Sequence, residues 1–282
     1  MTSVQSFAAM NRRTCLRSTV VCGVLAVGGL QALAENPKTE SVFRAVELNH
    51  ISLDTAVPER ASEFYQMHFG MTPISHGRGG RAAFLHFDKG FLNLRRAEKS
   101  GLNHFCLGVK DFDIEKFQTV LSDLDLDPVV RGRGRLLHIN DPDGIDVQIQ
   151  EIAHGYGRTR NQLTNAEKGT LRAVQLKSLC LGVTDVRRSR DFYNRMFGLR
   201  AADGEGSRER CVLKVGDSFL ELREADQPGM LHYGYAVSNS EPDSIRSKLG
   251  DGGVSLMTGN ESGVIALRDA DQIVVHVNEQ GD

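Results

Sequence analysis

The chain of 282 residues repeats its own pattern at a constant offset of 128 residues. Ala45 recurs as Ala173 and His104 recurs as His232, each 128 positions later (173 − 45 and 232 − 104). The other recurring positions are Phe64-Tyr65 with Phe192-Tyr193, Phe69-Gly70 with Phe197-Gly198, Gly101 with Gly229, and Asp141 and Asp143 with Asp269 and Asp271. The length suffices for two domains with hydrophobic cores of their own. Each position can therefore be compared with its counterpart, and positions where the copies differ are those that folding does not require and that function can use.

Each copy divides into two units in which a strand precedes a helix and three short strands follow it. Pro58 begins the first helix, which ends at the glycine cap Gly70. The first copy is also predicted to contain strands at 46–53, 72–75, 82–87, 91–95, 102–109, 128–130, 136–139 and 145–149 and a second helix at 111–124. Asp141 begins a DPDG hairpin turn between the last two strands. The sequence therefore predicts an α+β fold of four βαβββ units in two domains.

An export signal is predicted before the first domain. Arg12-Arg13 precede an apolar, glycine-containing run over residues 18–33, and residues 32–34 (ALA) have the form of a cleavage site. Residues 11–16 (NRRTCL) resemble a twin-arginine signal, although an ordinary secretory signal or an uncleaved anchor fits the same pattern. The predicted segments are the signal at 1–34, a lead-in at 35–43, the domains at 44–152 and 171–279, and a linker at 153–170. We expect a periplasmic or secreted protein with no stable membrane span in the mature chain, because the apolar run is short and rich in glycine.

Composition limits the class of partner. The net charge is −2, which offers no electrostatic attraction to nucleic acid or to an anionic membrane. Beyond the two cysteines of the predicted signal, Cys106, Cys180 and Cys211 form an odd set without C-x-x-C spacing, which argues against a disulfide framework. We therefore expect a small-molecule ligand, and the sequence leaves a homodimer open.

Four ordered motifs in the first copy carry a family resemblance. They are LNHISL (48–53), SEFYQMHFGM (62–71), GLNHFCLGV (101–109) and DPDGIDVQI (141–149). Together they resemble the vicinal oxygen chelate superfamily of glyoxalases, bleomycin-resistance proteins and extradiol dioxygenases, across residues 44–279. The resemblance implies glyoxalase-like domains with curved mixed sheets around a cleft. It implies no single reaction, since this fold carries isomerases, lyases, dioxygenases and metal-free binding proteins.

The resemblance also implies a divalent metal site. In this family the first, fifth and eighth strands supply the ligands, and the matching residues here are His50, His104 and Gln148. The fourth strand sometimes supplies another, at Asn93 or a neighbour here. Two neutral imidazoles and an oxygen donor suit Fe, Mn, Zn or Ni. The dioxygenases have a carboxylate at the eighth-strand position, so Gln148 departs from their 2-His-1-carboxylate pattern and counts against iron chemistry.

His138 is the predicted catalytic residue. It lies ten residues before Gln148, at the spacing where extradiol enzymes place an acid–base tyrosine. A histidine titrates near neutrality and can move a proton there. The alternative is a half-exposed strand histidine without a chemical role.

The positions whose side chains can bind a metal or transfer a proton differ between the copies. The changes are His50 to Ser178, Asn93 to Glu221, His138 to Ala266 and Gln148 to His276. If adjacent units pair, the main site lies in the first domain. If the first unit instead pairs with the fourth, a cross-domain site could join His50 with His232, His276 and Glu221. The sequence leaves both pairings open.

These residues predict an exported metal-dependent enzyme that acts on a substrate with two adjacent oxygens. Ring cleavage by a dioxygenase and glyoxalase-like lyase or isomerase chemistry are the two candidate reactions, with the metal as a Lewis acid. The alternatives are a metal-free binding protein of the bleomycin-resistance type and a module that uses the fold only for interaction.

Overall fold

The computed structural model describes most of the two predicted domains. The described residues are 41–76, 82–132, 135–152, 169–202, 206–238, 241–257 and 264–279. The predicted signal at 1–34 lies outside them, as do most of the lead-in and most of the linker. Within the described ranges, no helix is both long enough and apolar enough to cross a bilayer.

The first copy forms one curved sheet with two helices. Its elements are β1 (Arg44–Thr55), α1 (Pro58–Phe69), β2 (Thr72–His76), β3 (Ala82–Phe87), β4 (Gly90–Arg96), β5 (Gly101–Lys110), α2 (Ile114–Asp123), β6 (Val129–Arg131), β7 (Leu136–Asn140) and β8 (Asp146–Glu151). The strands lie in the order β2-β3-β4-β1-β5-β8-β7-β6. The first strands of the two units, β1 and β5, pair antiparallel at the centre of the sheet. Both units therefore contribute side chains to the same central face.

The second copy repeats this arrangement with seven named strands in place of eight, since Leu256 forms only an isolated bridge with Leu267 where the first copy has its edge strand. Its elements are β9 (Ala173–Val183), α3 (Val186–Phe197), β10 (Arg200–Ala201), β11 (Arg210–Val215), β12 (Ser218–Glu224), β13 (Gly229–Val237), α4 (Pro242–Asp251), β14 (Ile265–Arg268) and β15 (Val274–Glu279). The order of its sheet is β10-β11-β12-β9-β13-β15-β14. The predicted α+β fold of tandem βαβββ units is confirmed. The alternative pairing of the first unit with the fourth is wrong, because adjacent units share each sheet.

The helix ends follow the sequence signals. Pro58 lies in the first turn of α1, and Gly70 ends the helix in the left-handed conformation with φ 61°. Gly198 ends α3 in the same way, with φ 71°. The recurring Phe-Gly pair is thus a helix end in both copies, as its sequence predicts.

Two tyrosine–aspartate pairs connect the copies reciprocally. Tyr65 on α1 donates a hydrogen bond to Asp269 of the second copy at 2.5 Å. Tyr193 on α3 donates to Asp141 of the first copy at 2.8 Å. The partners lie at the same repeat positions, and all four residues are buried. The hydroxyl of Tyr65 also contacts that of Tyr233. These recurring residues therefore join the two copies.

The aspartates of these pairs also organise the hairpin turns. The second carboxylate oxygen of Asp141 accepts hydrogen bonds from the backbone N–H groups of Asp143 and Ile145, both at 2.9 Å. Asp269 accepts from the corresponding N–H groups of Asp271 and Ile273, also at 2.9 Å. An aspartate that bonds the backbone of its own turn stabilises that turn. The turn therefore forms in the second copy although the DPDG sequence has become DADQ.

Candidate functional site

A lateral row of side chains crosses six strands of the first sheet. Each member is the direct cross-strand partner of the next, so all of them project from the same face. In order across β3, β4, β1, β5, β8 and β7, the row is His86, Phe91, His50, Cys106, Gln148 and His138. His104 lies two residues before Cys106 on β5, on the same face. Residues that are distant in sequence thus meet on one surface.

Three histidines lie close together on this face of the sheet: His50, His104 and His138. The ring centres of His50 and His104 are 5.6 Å apart with an interplanar angle of 82°. The ring centres of His104 and His138 are 5.2 Å apart at 78°. All three side chains are buried. Imidazoles that bind one ion have ring centres about 4.5–5.5 Å apart, since each metal–nitrogen bond is about 2 Å long. The 5.6 Å between the rings of His50 and His104 lies at the upper end of this range, so a shared ion needs only a small approach of the two rings.

Neighbouring asparagines orient two of these rings. The amide oxygen of Asn49 lies 2.8 Å from Nδ1 of His50, and the Asn49 amide nitrogen donates to Glu47 at 2.8 Å. Because the amide nitrogen is used on Glu47, the amide oxygen must accept a hydrogen from Nδ1. This assigns the hydrogen of His50 to Nδ1 and makes Nε2 the basic nitrogen. Hydrogen bonds of this kind fix the tautomer of metal-binding histidines.

His104 is oriented by the same device. The amide oxygen of Asn103 lies 2.8 Å from Nδ1 of His104, and its amide nitrogen donates to Asp54 at 3.1 Å. Arg95 donates to the same amide oxygen at 2.5 Å. Both predicted histidine ligands therefore present Nε2 toward a ligand, held by the asparagine that precedes each of them.

His138 differs because a carboxylate orients it. Its Nδ1 lies 2.8 Å from Oδ1 of Asp146, and the side chain is only 4% exposed. The expectation of a half-exposed position is therefore wrong, since the ring is buried and hydrogen-bonded, and a chemical role for His138 stays a prediction. With the hydrogen on Nδ1, Nε2 of His138 can accept a proton from a neighbouring group.

Gln148 lies in the row between Cys106 and His138. Its amide nitrogen donates to Gln150 at 2.9 Å and contacts the sulfur of Cys106 at 3.5 Å. Both contacts use the amide nitrogen. A cation would bind the other atom of the amide, the carbonyl oxygen, which neither contact uses. Asn93 at the fourth-strand position donates to Ser52 at 2.9 Å instead. Two imidazole nitrogens and one amide oxygen thus fit a divalent ion in donor chemistry.

Burial keeps His104 and His86 neutral. Desolvation, reinforced by the nearby His138, lowers the pKa of His104 to about 4. Burial likewise lowers the pKa of His86 to about 4. Only a neutral imidazole has a lone pair for a metal or for a proton. These rings are therefore available as ligands or bases at neutral pH.

Sequence reasoning missed several residues of this site. His86 was not identified, although its place in the row follows from the pairing of β3 with β4. The orienting residues Asn49, Asn103 and Asp146 were also missed. The dipeptide Asn-His recurs at 49–50 and 103–104 and could have identified the two asparagines. Asp146 bonds across a hairpin, and no local pattern marks such a contact.

The second sheet carries a different row at the same positions. Across β11, β12, β9, β13, β15 and β14 it is Lys214, Phe219, Ser178, Gly234, His276 and Ala266. A cavity of about 510 Å³ lies over it, lined by Ser178, His232 and His276 among others. The second cleft is therefore a roomy pocket, whereas the histidines of the first are buried.

The second cleft brings together the residues of the alternative site. Ligand atoms of Cys180, Glu221 and His232 lie within 4.8 Å of one another, which makes them a candidate metal cluster. The rings of His232 and His276 stack with centres 3.9 Å apart. These residues belong to the second sheet, while His50 belongs to the first. The predicted cross-domain set therefore assembles with itself and not with His50.

Comparisons with known proteins identify the fold. No protein-family model matches the chain, and no curated protein sequence matches it. Among solved structures, it is similar to a variant of homoprotocatechuate 2,3-dioxygenase from B. fuscum, with a TM-score of 0.68 and 16% identity over 86% of this chain and 74% of that one. It is also similar to the 2,3-dioxygenase LapB from Pseudomonas sp. KL28, with a TM-score of 0.69 and 16% identity over 86% of this chain and 94% of that one.

These similarities extend over both copies. A further similar structure is an extradiol ring-cleaving dioxygenase from B. fuscum, with a TM-score of 0.67 and 16% identity over 87% of this chain and 74% of that one. These TM-scores show a shared fold of two tandem glyoxalase-like domains. At 16% identity the fold alone is shared, and the chemistry of each cleft depends on its own residues.

Proposed function

We propose that the chain is an exported metal-dependent enzyme whose first-domain cleft acts on a small substrate with two adjacent oxygens. The observation that carries this proposal is the pairing of His50 and His104, with ring centres 5.6 Å apart and an asparagine on each Nδ1. Gln148 would complete the ligand set. Similarity to ring-cleaving dioxygenases supports ring cleavage as the first reaction to test, and glyoxalase-like isomerisation or lysis is the second.

The ligand residues determine the charge of the site. A divalent ion bound there would supply Lewis acidity toward the two substrate oxygens. His50, His104 and Gln148 are all neutral donors, so the protein adds no negative charge. A site of this kind favours a substrate that is anionic when bound. The ion would be Fe, Mn, Zn or Ni, which nitrogen and oxygen donors all accommodate.

His138 would accept the proton that such a substrate loses. Its Nε2 is the basic nitrogen because Nδ1 faces Asp146 at 2.8 Å. Asp146 would stabilise the imidazolium that forms, as a carboxylate does for a catalytic histidine. The burial of the neighbouring rings keeps bulk water from competing for the proton. His138 thus acts as general base, and as general acid when the proton returns.

Metal content tests the ligand assignment. The full mature chain, purified without an affinity tag, is expected to contain close to one divalent ion, measured by elemental analysis. His104→Ala should lose it, whereas the matched change His232→Ala in the second copy should keep it. Loss only in His232→Ala would place the metal in the second domain. Folded wild-type protein without metal would favour the metal-free binding alternative.

An activity screen tests the reaction. Catechols and α-ketoaldehydes represent the two reaction classes and are offered to the metal-loaded protein. His138→Ala, which introduces the residue present at Ala266 of the second copy, should lower kcat by about 10²–10⁴ while metal content stays unchanged. An undiminished kcat would remove His138 from the mechanism.

Export is a separate element of the proposal. It is supported by Arg12-Arg13, the apolar run after them and the A-x-A pattern. Replacing both arginines by lysine should retain the protein in the cytoplasm if the twin-arginine route is used. Unchanged export of this variant would indicate an ordinary secretory signal.

A further inference from the structure

The asparagine before each predicted histidine ligand is the extra residue of a β-bulge. The register between β1 and β5 shifts by one residue at Asn49 on β1 and at Asn103 on β5. Successive residues of a regular strand point to opposite faces, so neither asparagine would otherwise reach the ring that follows it. A bulge redirects a side chain locally. The two bulges thus bring each amide oxygen within 2.8 Å of Nδ1 of its histidine, His50 or His104.

A carboxylate fixes the orientation of the Asn49 amide. Oε1 of Glu47 accepts a hydrogen bond from the amide nitrogen of Asn49 at 2.8 Å. A carboxylate can only accept, so the opposite orientation of the amide would place two oxygens in contact. Gly108 on β5 leaves room for Glu47, because a Cβ atom there would lie 2.2 Å from Oε1. Glu47, Asn49 and His50 therefore form a hydrogen-bonded triad.

Two groups fix the orientation of the Asn103 amide. Oδ2 of Asp54 accepts from its amide nitrogen at 3.1 Å, and Arg95 donates to its amide oxygen at 2.5 Å. A guanidinium can only donate, so both contacts require the same orientation. Asp54, Asn103 and His104 form a second triad, to which Arg95 adds a further constraint.

The second copy keeps the bulges and loses the triads. The register between β9 and β13 shifts at Lys177 and at Leu231, which are the repeat positions of the two asparagines. The replacements are Glu47 to Gln175, Asn49 to Lys177, Asp54 to Gly182 and Asn103 to Leu231. The fold therefore requires the bulges but not the triads, which belong to the chemistry of the first cleft.

The triads determine which ring nitrogen can bind an ion. An amide oxygen beside Nδ1 requires the hydrogen to be on Nδ1, which leaves the lone pair on Nε2. A metal binds the nitrogen without hydrogen, and a fixed tautomer avoids the cost of moving that hydrogen first. Both histidines thus present the same nitrogen before any ion arrives.

We propose that Glu47 and Asp54 are positioning residues of the first cleft, which fix the tautomers of His50 and His104 through the asparagines. The consequence for metal affinity rests on the function proposed above, whereas the tautomers do not. The two triads differ in one respect. Asn103 is also held by Arg95, whereas Glu47 is the only group among the described residues that imposes an orientation on Asn49.

Nuclear magnetic resonance of the full mature chain with ¹⁵N-labelled histidine, after removal of metal by a chelator, tests this proposal. Spectra of this kind distinguish a ring nitrogen with hydrogen from one without, and His50→Ala and His104→Ala assign the signals. Wild type should carry the hydrogen on Nδ1 of both rings, since a hydrogen bond to a charged acceptor favours that orientation about tenfold or more.

Glu47→Gln should release the first tautomer, because a glutamine can donate as well as accept and lets the Asn49 amide turn. We expect about a tenth or more of His50 to carry its hydrogen on Nε2, and metal affinity to fall about tenfold. Asp54→Asn should leave the tautomer of His104 unchanged, since Arg95 still donates to the amide oxygen. The double variant with Arg95→Gln should give a mixture at His104.

Glu59→Gln is the control, because it removes the same charge from an exposed ion pair with Arg96 and should change neither tautomer. A wild-type hydrogen on Nε2 of either ring would overturn the proposal, as would an unchanged His50 in folded Glu47→Gln. If Glu47→Gln fails to fold, Asp54→Asn and the double variant decide, and equal tautomers in these two would overturn it. Responsive tautomers in a wild-type chain that binds no metal would refute only the metal site, whereas bound metal with unresponsive tautomers would refute only the positioning role.

Discussion

The two clefts share one backbone and differ in almost every side chain that could perform chemistry. In the first, His50 and His104 lie buried with ring centres 5.6 Å apart, and asparagines orient them. In the second, Ser178 and His232 stand at the same positions over a 510 Å³ cavity that arginines line. The first cleft thus presents neutral nitrogen donors, whereas two arginines and a glutamate line the cavity of the second. Duplication of a fold therefore does not duplicate a site.

Residues that the copies share have a different purpose. Tyr65 and Tyr193 each reach the aspartate of the opposite copy. Neither pair lies in the lateral rows that face the clefts. The recurring tyrosines and aspartates thus hold the two copies together. Of the residues that face the clefts, His104 recurs as His232, and most of the others differ.

The largest expected effect comes from breaking the shared contacts. Asp141→Ala removes the acceptor for Tyr193 and for two turn N–H groups and should lower the free energy of unfolding by about 3 kcal/mol. Asp269→Ala should have a similar effect because its contacts are reciprocal. Urea denaturation measures both. The control Asp88→Ala breaks an exposed ion pair with Arg172 and should change stability by less than about 1 kcal/mol. A large effect of only one aspartate would refute the reciprocity.

The next largest effect is expected on the metal affinity of the first cleft, when an asparagine that orients a histidine is replaced. Asn103→Leu introduces the residue that the second copy has at Leu231 and removes the acceptor for Nδ1 of His104. Loss of such a contact lowers metal affinity about 10–100-fold. Competition with a chelator measures this affinity. Leu231→Asn is the matched control and should leave it unchanged, whereas equal metal affinity of Asn103→Leu and wild type would exclude an orienting role.

A smaller effect on stability is expected from changes at Gly234 and at the equivalent residue of the first copy, Cys106. Gly234→Ala places a Cβ atom 3.1 Å from that of His276 and closer still to Ser178 and Asn278. We expect a loss of about 1–2 kcal/mol in stability from overpacking. Cys106→Gly should cost about as much for the opposite reason, since it opens a void beneath Gln148. Urea denaturation measures the stability of both variants, and an increase in stability of Gly234→Ala would contradict the crowding.

The fold could be predicted because its signals are local. Pro58 and Gly70 bound a helix through the fixed φ of proline and the left-handed conformation of glycine. Alternating apolar residues predict strands such as β1, and the DPDG turn predicts the hairpin from β7 to β8. Each of these patterns involves neighbours in sequence. The fold class is therefore contained in short segments and confirmed by the sheet order.

The site could be predicted only in part, because its remaining contacts join distant segments. His50 and His104 were identified through resemblance, whereas the place of His86 depends on the register of β3 with β4. Asp146 reaches His138 across a hairpin. The arginine pair on Glu221 combines β11 with β12. This cluster of charged side chains thus appears only when the strands are placed side by side.

The smallest expected effect concerns how the free energy of unfolding changes at acid pH. His86 in the first row is buried and its pKa is lowered to about 4, while the second row has Lys214 at that position. The unfolded chain therefore binds more protons than the folded one between about pH 6.5 and 4, so stability falls as the pH falls through this range. His86→Gln should reduce that loss by about 1 kcal/mol at pH 5, after allowance for solvent screening. Urea denaturation at pH 7 and pH 5 gives the difference, in which the buried Asp141 and Asp269 cancel. An equal loss in wild type and variant would mean that His86 is protonated in the folded state without penalty.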